Sequence, residues 1–373
     1  MKEAARPYLS AADRPELPAL TGLRAVAALW VVSWHASAYL PTLPFPVSRG
    51  YLGVDLFFVL SGFVISYVYW SEFEPGGRRR YARFLALRVA RLWPAHVTMV
   101  LVVLAIAVAS ALWITPEKVQ DWPRLLGEVP LHALLIHNWG FVADTKLNFP
   151  SWSVSAEFFV YVLFPLYVLL FRGIAGAIGL TAAIVLAMAL CWLGMSVLFD
   201  VPLGTSGRVG QIRVVCEFAV GVALFRLWRA PALSALPWTA IALASIGGIV
   251  AVGLLADRRS DYLLILLMAP LILALARRDG GAARLMALRP VVYLGEISYS
   301  VYLVHAPAVQ AADWTLRRLD AAPQASAALG WAFMAASMAL SLAAGALLFH
   351  IVEKPARFWL RARIDRIWPA AAK

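Results

Sequence analysis

Residues 52–70 read LGVDLFFVLSGFVISYVYW and contain a single charged side chain, Asp55. About 20 consecutive apolar residues let a helix cross the hydrocarbon core of a bilayer. The rest of the chain is similar, because 62% of its 373 residues are hydrophobic and 14% are charged, against about 25% charged in soluble domains. The composition therefore predicts an all-α fold, a polytopic transmembrane helical bundle.

The apolar runs along the chain predict about ten spans. They are Leu20–Leu40, Leu52–Trp70, Trp93–Ile114, Val154–Phe171, Ile174–Leu198, Val214–Leu227, Trp238–Leu255, Leu263–Leu275, Val291–Val309 and Ala327–Val352. One more apolar segment, Val129–Phe141, is too short to span, so we expect an amphipathic or re-entrant piece within a long loop.

The net charge of +12 would suggest a nucleic-acid partner in a soluble protein. In a membrane protein, Lys and Arg instead collect in cytoplasmic loops. An even number of spans leaves both termini on one side, and most Lys and Arg residues fall on that side, so both termini are predicted to be cytoplasmic. We expect a cytoplasmic N-terminal tail at 1–19, a membrane domain at 20–357 and a basic cytoplasmic C-terminal tail at 358–373.

The first two spans contain ionisable residues, which are costly in a membrane and commonly mark function. Arg24 and His35 lie eleven residues apart, nearly on one helix face and about 16 Å apart along the axis. An interfacial anchor and a satisfied buried histidine would explain them equally well. Asp55 is either a helix cap or a partner for a cation or imidazole from the first span.

Two pairs of charged residues follow. Arg88 and Arg91 are spaced i, i+3 just before the third span, and their planar donors suit phosphate oxygens. Contact with anionic lipid head groups is the alternative explanation. Arg213 and Glu217 are spaced i, i+4, which suits an internal ion pair with a structural role.

Polar groups also cluster at the fourth and ninth spans. Glu157 follows Ser153 near a helix start and is either a capping carboxylate or a site residue, and the aromatic residues around it would suit a sugar. The ninth span contains Tyr299, Tyr302 and His305, and is too polar to face lipid. Lys354 lies where the chain leaves the last span.

These strings resemble the acyltransferase-3 family of bacterial membrane O-acyltransferases, over about residues 20–357. Arg24 and His35 match the family's signature of Arg, ten residues and His. The other strings follow in the family's order: GVDLFFVLSGF at 53–63, RVARLWP at 88–94, PSWSVSAEFFVYVLFP at 150–165, LGEISYSVYLVH at 294–305 and HIVEKPAR at 350–357.

The resemblance implies transfer of an acyl group, usually acetyl, from acyl-CoA to a hydroxyl of a glycan, glycolipid or related acceptor. His35 would act as general base or transient acyl carrier, with Asp55 and Glu157 as the other catalytic residues. Acyl-CoA would be bound by Arg24, Arg88, Arg91, Tyr299 and Tyr302. Acceptor-binding or supporting roles would fall to Ser153, Arg213, Glu217, His305 and Lys354.

The resemblance also implies a multi-pass protein of the bacterial cytoplasmic (inner) membrane, in the stand-alone form without an SGNH-type esterase domain. Its expected partners are the lipid bilayer, acyl-CoA and the carbohydrate acceptor; neither nucleic acid nor a metal is expected. The competing class is a transporter or flippase for a polysaccharide precursor, because intramembrane charges and interrupted helices also describe a translocation path.

Overall fold

The computed structural model describes residues 15–73, 78–113, 122–142, 147–233, 235–277, 280–318 and 326–369. These ranges are built from helices and connecting turns and contain no β-strand. The all-α prediction is thereby confirmed. Most of the predicted N-terminal tail, residues 1–14, and the end of the C-terminal tail, residues 370–373, lie outside the described residues.

The described residues form fourteen α-helices in chain order. Their bounds are α1 Pro18–His35, α2 Leu52–Phe73, α3 Arg78–Trp113, α4 Trp122–Ala133, α5 Trp152–Val162, α6 Phe164–Arg172, α7 Gly176–Trp192, α8 Gly207–Trp228, α9 Trp238–Leu255, α10 Asp261–Ala276, α11 Gly281–Met286, α12 Arg289–Arg318, α13 Ala327–Leu348 and α14 Lys354–Ile367.

Six helical segments among the described residues are long and apolar enough to cross a membrane. They are Leu52–Phe73, Arg80–Ala109, Gly176–Leu198, Trp238–Leu255, Arg258–Ala276 and Ala327–Ile367, and the pair α5 and α6, bent by 53°, would make a seventh. The chain is thus a multi-pass membrane protein by the length and composition of its helices.

The other predicted spans also coincide with helices, namely α1, α8 and α12. These three are less apolar because they contain charged side chains such as Arg24, Arg213 and Glu296. Helices of this composition need protein neighbours rather than lipid around their charged faces. The count of ten spans and the cytoplasmic orientation of the termini remain predictions.

Helix α2 lies at the centre of the bundle, and most of its residues are buried. It packs against α8, α1 and α10, while α12 packs against α1 and α13. Gly62 on α2 faces Gly221 on α8, and a methyl group at either position would overlap the backbone of the other helix. Small residues permit this close approach.

Two of the helix connections are a sharp bend and a π-helical turn. The bend between α5 and α6 comes at Leu163, just before Pro165, whose ring cannot continue the hydrogen-bond pattern of a helix. Helices α13 and α14 are joined by a π-helical turn at Phe349–Glu353. Such a turn holds an extra residue compared with α-helical geometry and often marks a functional site.

Replacing Gly62 with leucine is expected to separate α2 from α8 and lower the melting temperature in detergent. Overpacking of this kind costs about 1–3 kcal/mol or more. The matched control is Gly247→Leu on α9, since an added Cβ there meets no atom within 4 Å. Equal melting temperatures for the two variants would contradict the close α2–α8 contact.

Candidate active site

One internal cavity is lined by side chains from α1, α2, α3, α5 and α12. It brings together seven of the residues singled out in the sequence: Arg24, Arg88, Arg91, Ser153, Glu157, Tyr299 and Tyr302. The remaining lining is mostly apolar, with further hydroxyl groups from Ser61 and Tyr161. A mainly apolar pocket with a few convergent polar groups is the usual form of a ligand site.

The three arginines of the cavity differ in their partners. Arg91 forms an ion pair with Glu353, which also accepts a hydrogen bond from the Ser300 hydroxyl at 2.6 Å. Arg88 donates to the Tyr69 hydroxyl at 2.8 Å. Arg24 makes no hydrogen bond to any residue in the described ranges, although Arg91 and the carboxylates of Glu157 and Glu353 lie near enough to interact with its charge.

Two openings adjoin the cavity and share its arginines. Their walls carry a set of cations that we call the basic vestibule: Arg83, Arg88, Arg91, Lys354, Arg357 and Arg361. Arg83 is bound to Asp365 at 2.7 Å, and Asp365 also lies 3.8 Å from Arg361. The six cations of the vestibule outnumber its acidic groups, which are the paired Glu353 and Asp365 and the lining residues Glu16 and Glu296, so its field favours an anion.

Glu157 lies in the interior of the cavity, where it accepts hydrogen bonds from Ser61 and from the Tyr161 hydroxyl, the latter at 2.5 Å. The Ser153 hydroxyl lies 2.7 Å from that of Tyr302, which donates to the carbonyl of Pro150 at 2.9 Å. These contacts form a hydroxyl-rich part of the cavity wall.

His35 is half-buried at the end of α1 and does not line the cavity. Its Nδ1 lies 3.3 Å from Nε2 of His305, which is fully buried. The Nδ1 of His305 lies 2.5 Å from the carbonyl oxygen of Tyr302. The two histidines therefore sit just beyond the inner wall of the cavity, linked to it through Tyr302.

Asp55 belongs to a separate cluster. Its carboxylate pairs with Arg213 at 3.1 Å, and both side chains are fully buried. Glu217 lies beside Asp55, close enough for the two carboxyl groups to interact. The i, i+4 spacing predicts an ion pair between Arg213 and Glu217, but the structure pairs Arg213 with Asp55 instead. The Asp55 carboxylate therefore contacts Arg213 and not His35.

Three contributors to the site are not among the sequence-predicted residues. Ser61 lies next to Gly62, and small residues at such a helix contact usually serve packing. Its hydroxyl nevertheless donates a hydrogen bond to Glu157. Tyr161 follows Glu157 by four residues, a spacing that could have indicated the contact. Glu353 is separated from Arg91 by most of the chain, and nothing local signals their pairing.

The family model described as "Acyltransferase domain", that of the acyltransferase-3 family, matches residues 17–350. The chain belongs to this family. The match contains nearly the whole bundle, including every cavity residue and both histidines of the His35–His305 pair. The resemblance found in the motifs is thereby confirmed, and the cavity is the candidate active site of an acyltransferase-3 chain.

Curated relatives support the same assignment. Peptidoglycan O-acetyltransferase OatA of Listeria monocytogenes is 25% identical over 324 residues, covering 80% of this chain and 50% of the relative. O-acetyltransferase OatA of Staphylococcus aureus is 26% identical, covering 79% and 50%. Acyltransferase MdmB of Streptomyces mycarofaciens is 29% identical, covering 91% of both chains. The chain therefore spans about half the length of the OatA proteins. No solved structure matches it significantly.

The Asp55–Arg213 pair is expected to stabilise the acyltransferase fold. Removing one partner of a buried ion pair leaves an uncompensated charge and typically costs about 3–5 kcal/mol. Arg213→Gln should therefore lower the melting temperature strongly, and the double variant Arg213→Gln with Asp55→Asn should recover much of the loss. The single variant Asp55→Asn completes the comparison. If the falls in stability of the two single variants simply add in the double variant, the side chains do not interact.

Proposed function

We propose that this protein is a membrane O-acyltransferase that moves an acyl group, acetyl being the expected one, from acyl-CoA to a hydroxyl of a glycan, glycolipid or related acceptor. The observation that carries the proposal is a single cavity joining a cationic vestibule to a hydroxyl-rich interior. We place the protein in the cytoplasmic (inner) membrane with the vestibule facing the cytoplasm, where acyl-CoA is available.

The basic vestibule suits the charged end of acyl-CoA. Its guanidinium groups present planar donors that match phosphate oxygens, and several cations within one opening concentrate a polyanion there. Arg24 supports this role most directly, since it lies at the junction of cavity and vestibule without a hydrogen-bond partner among the described residues. The pantetheine arm would then run inward along the apolar lining.

The hydrogen bonds around His35 leave its Nε2 as the nitrogen that can act as a base. A carbonyl oxygen can only accept, so Nδ1 of His305 donates to Tyr302, and Nε2 of the neutral ring holds a lone pair. That lone pair faces Nδ1 of His35, which also lies 3.1 Å from the carbonyl of Val31. His35 therefore carries its proton on Nδ1 and leaves Nε2 free.

The free Nε2 of His35 suits both roles that the sequence leaves open. As a general base it takes the proton of the acceptor hydroxyl while the oxygen attacks the thioester carbon, and the CoA thiolate leaves and is then protonated. As a nucleophile it first forms an acyl-imidazole, which the acceptor hydroxyl then cleaves. His305 acts through His35 in both cases, as a positioning residue.

The interior hydroxyl groups suit the acceptor side. Glu157, with Ser61 and Tyr161, offers the carboxylate and hydroxyl contacts that sugar hydroxyls use, and Ser153 with Tyr302 lies towards His35. The Listeria monocytogenes relative is named as a peptidoglycan O-acetyltransferase, and peptidoglycan is a glycan, which supports a carbohydrate acceptor for this chain as well.

Substituting His35 with alanine is expected to lower the rate of acyl transfer by about 10²–10⁴-fold, the usual contribution of a general base. Purified protein would be incubated with labelled acetyl-CoA and glycan extract, and release of the CoA thiol and label transfer would both be followed. His350→Ala, at an exposed histidine, is the control. Full transfer by a folded His35→Ala protein would refute the assignment, and no CoA release by the wild type with any extract would favour the transporter class.

Substituting Arg24 with alanine is expected to weaken acyl-CoA binding by at least about tenfold, because a hydrogen bond to a charged group contributes about 1.5–3 kcal/mol. Since Arg24 bonds no described residue, the melting temperature without ligand should not fall. Equilibrium binding of acetyl-CoA in detergent would measure the change, with exposed Arg172→Ala as control. Unchanged binding by the Arg24 variant would remove Arg24 from the donor site.

A further inference from the structure

Three histidines from separate segments lie close together outside the candidate active-site cavity. His96 lies on α3, His132 in the last turn of α4, and His137 in the turn that follows. All three are fully buried. The ring centroids of His132 and His137 lie 3.7 Å apart, and that of His96 lies 5.5 Å from His132 and 5.3 Å from His137. One nitrogen from each ring lies within 4.8 Å of the others.

Two of the rings use one nitrogen to bond a backbone carbonyl. Nε2 of His96 lies 3.1 Å from the carbonyl oxygen of His132, and Nε2 of His137 lies 3.0 Å from that of Ser151. A carbonyl fixes the proton on Nε2 and leaves the Nδ1 lone pair available. Histidines that bind metal ions almost always donate their other N–H in this way.

The remaining nitrogens are buried and have no hydrogen-bond partner among the described residues. They are Nδ1 of His96, Nδ1 of His137 and both ring nitrogens of His132. Buried polar atoms in native proteins are rarely left in this state, and each needs an explanation. One nitrogen of each ring can offer a lone pair, so three of these four nitrogens point to a shared ligand that accepts lone pairs.

Neutral imidazole is the form that coordinates a metal ion. The carbonyl contacts require one N–H on His96 and one on His137, and each neutral ring then keeps one lone pair.

We propose that His96, His132 and His137 bind one divalent transition-metal ion, with zinc as the best match. Three imidazoles and one open position are an established zinc set, with Zn–N distances of about 2.0–2.1 Å. Tetrahedral geometry separates the nitrogens by about 3.4 Å. The three rings now lie nearly parallel, with interplanar angles of 6–15°, so their side chains must rotate to direct the three lone pairs at one ion. None of the three rings lines the acyl cavity.

The metal would fasten the connection between α3 and α5. The end of α4 already contacts α3 through a hydrogen bond from Trp93 to the carbonyl of Ala133 at 2.8 Å. His137 bonds Ser151, which directly precedes α5, the helix of Ser153 and Glu157. A metal at the three rings would therefore hold the acceptor-side wall of the cavity against α3.

The test measures metal binding by the full chain, purified in detergent with a tag that contains no histidine. The protein is stripped with a chelator, incubated with Zn²⁺, separated from free metal and assayed by mass spectrometry. We expect about one zinc ion per chain and a melting temperature raised by roughly 5 °C at a hundredfold excess over Kd. A substoichiometric zinc content in the wild-type protein overturns the proposal, whatever any variant does.

The variant His132→Gln removes a ring that makes no hydrogen bond, so the metal-free protein should melt at the wild-type temperature. It should lose both the bound zinc and the stabilisation by zinc, whereas His350→Gln should keep both. Zinc retained by His132→Gln would place the metal elsewhere and refute the site. If that variant does not fold, visible absorption of wild-type protein loaded with Co²⁺ decides, since tetrahedral nitrogen coordination gives an intense spectrum and octahedral water coordination does not.

Discussion

A charged side chain within the apolar layer needs a partner, and this requirement ties the helices of the bundle together. Asp55 and Arg213 join α2 to α8, and Arg91 and Glu353 join α3 to the end of the π-helical turn. A third pair, Arg49 and Asp261 at 2.9 Å, joins the connection after α1 to α10. Each pair links elements that are distant in sequence, so misplacing one helix would leave a buried charge unpaired, at a cost of several kcal/mol.

Arg24 departs from this pattern. It lies near another cation, Arg91, and the nearby carboxylates of Glu157 and Glu353 are already engaged by Ser61, Tyr161, Arg91 and Ser300. An arrangement with one guanidinium group lacking a hydrogen bond is costly for the fold alone but suitable for receiving an anion. Arg24 therefore lowers the stability of the fold at the position where the proposed acyl-CoA would enter.

Sequence reasoning succeeded where the signal is local. The ten predicted spans fall on helices because hydropathy is a property of each segment. The charged residues Arg24, Arg91 and Glu157, which the sequence singles out, line one cavity. Pairings across the bundle were not predictable, because they depend on the rotation of each packed helix. Arg213 therefore pairs with Asp55 rather than with Glu217. The contact between His96 and His132 likewise depends on the packing of α4 against α3.

The π-helical turn at Phe349–Glu353 adds a consequence for α14. An extra residue in a helix rotates everything after it by about 100° relative to an uninterrupted α-helix. Lys354, Arg357 and Arg361 recur at near-helical spacing and all line the vestibule. The phase of α14 thus depends on one inserted residue, and deleting it would turn the basic side of the helix away from the opening while leaving composition, charge and hydropathy nearly unchanged.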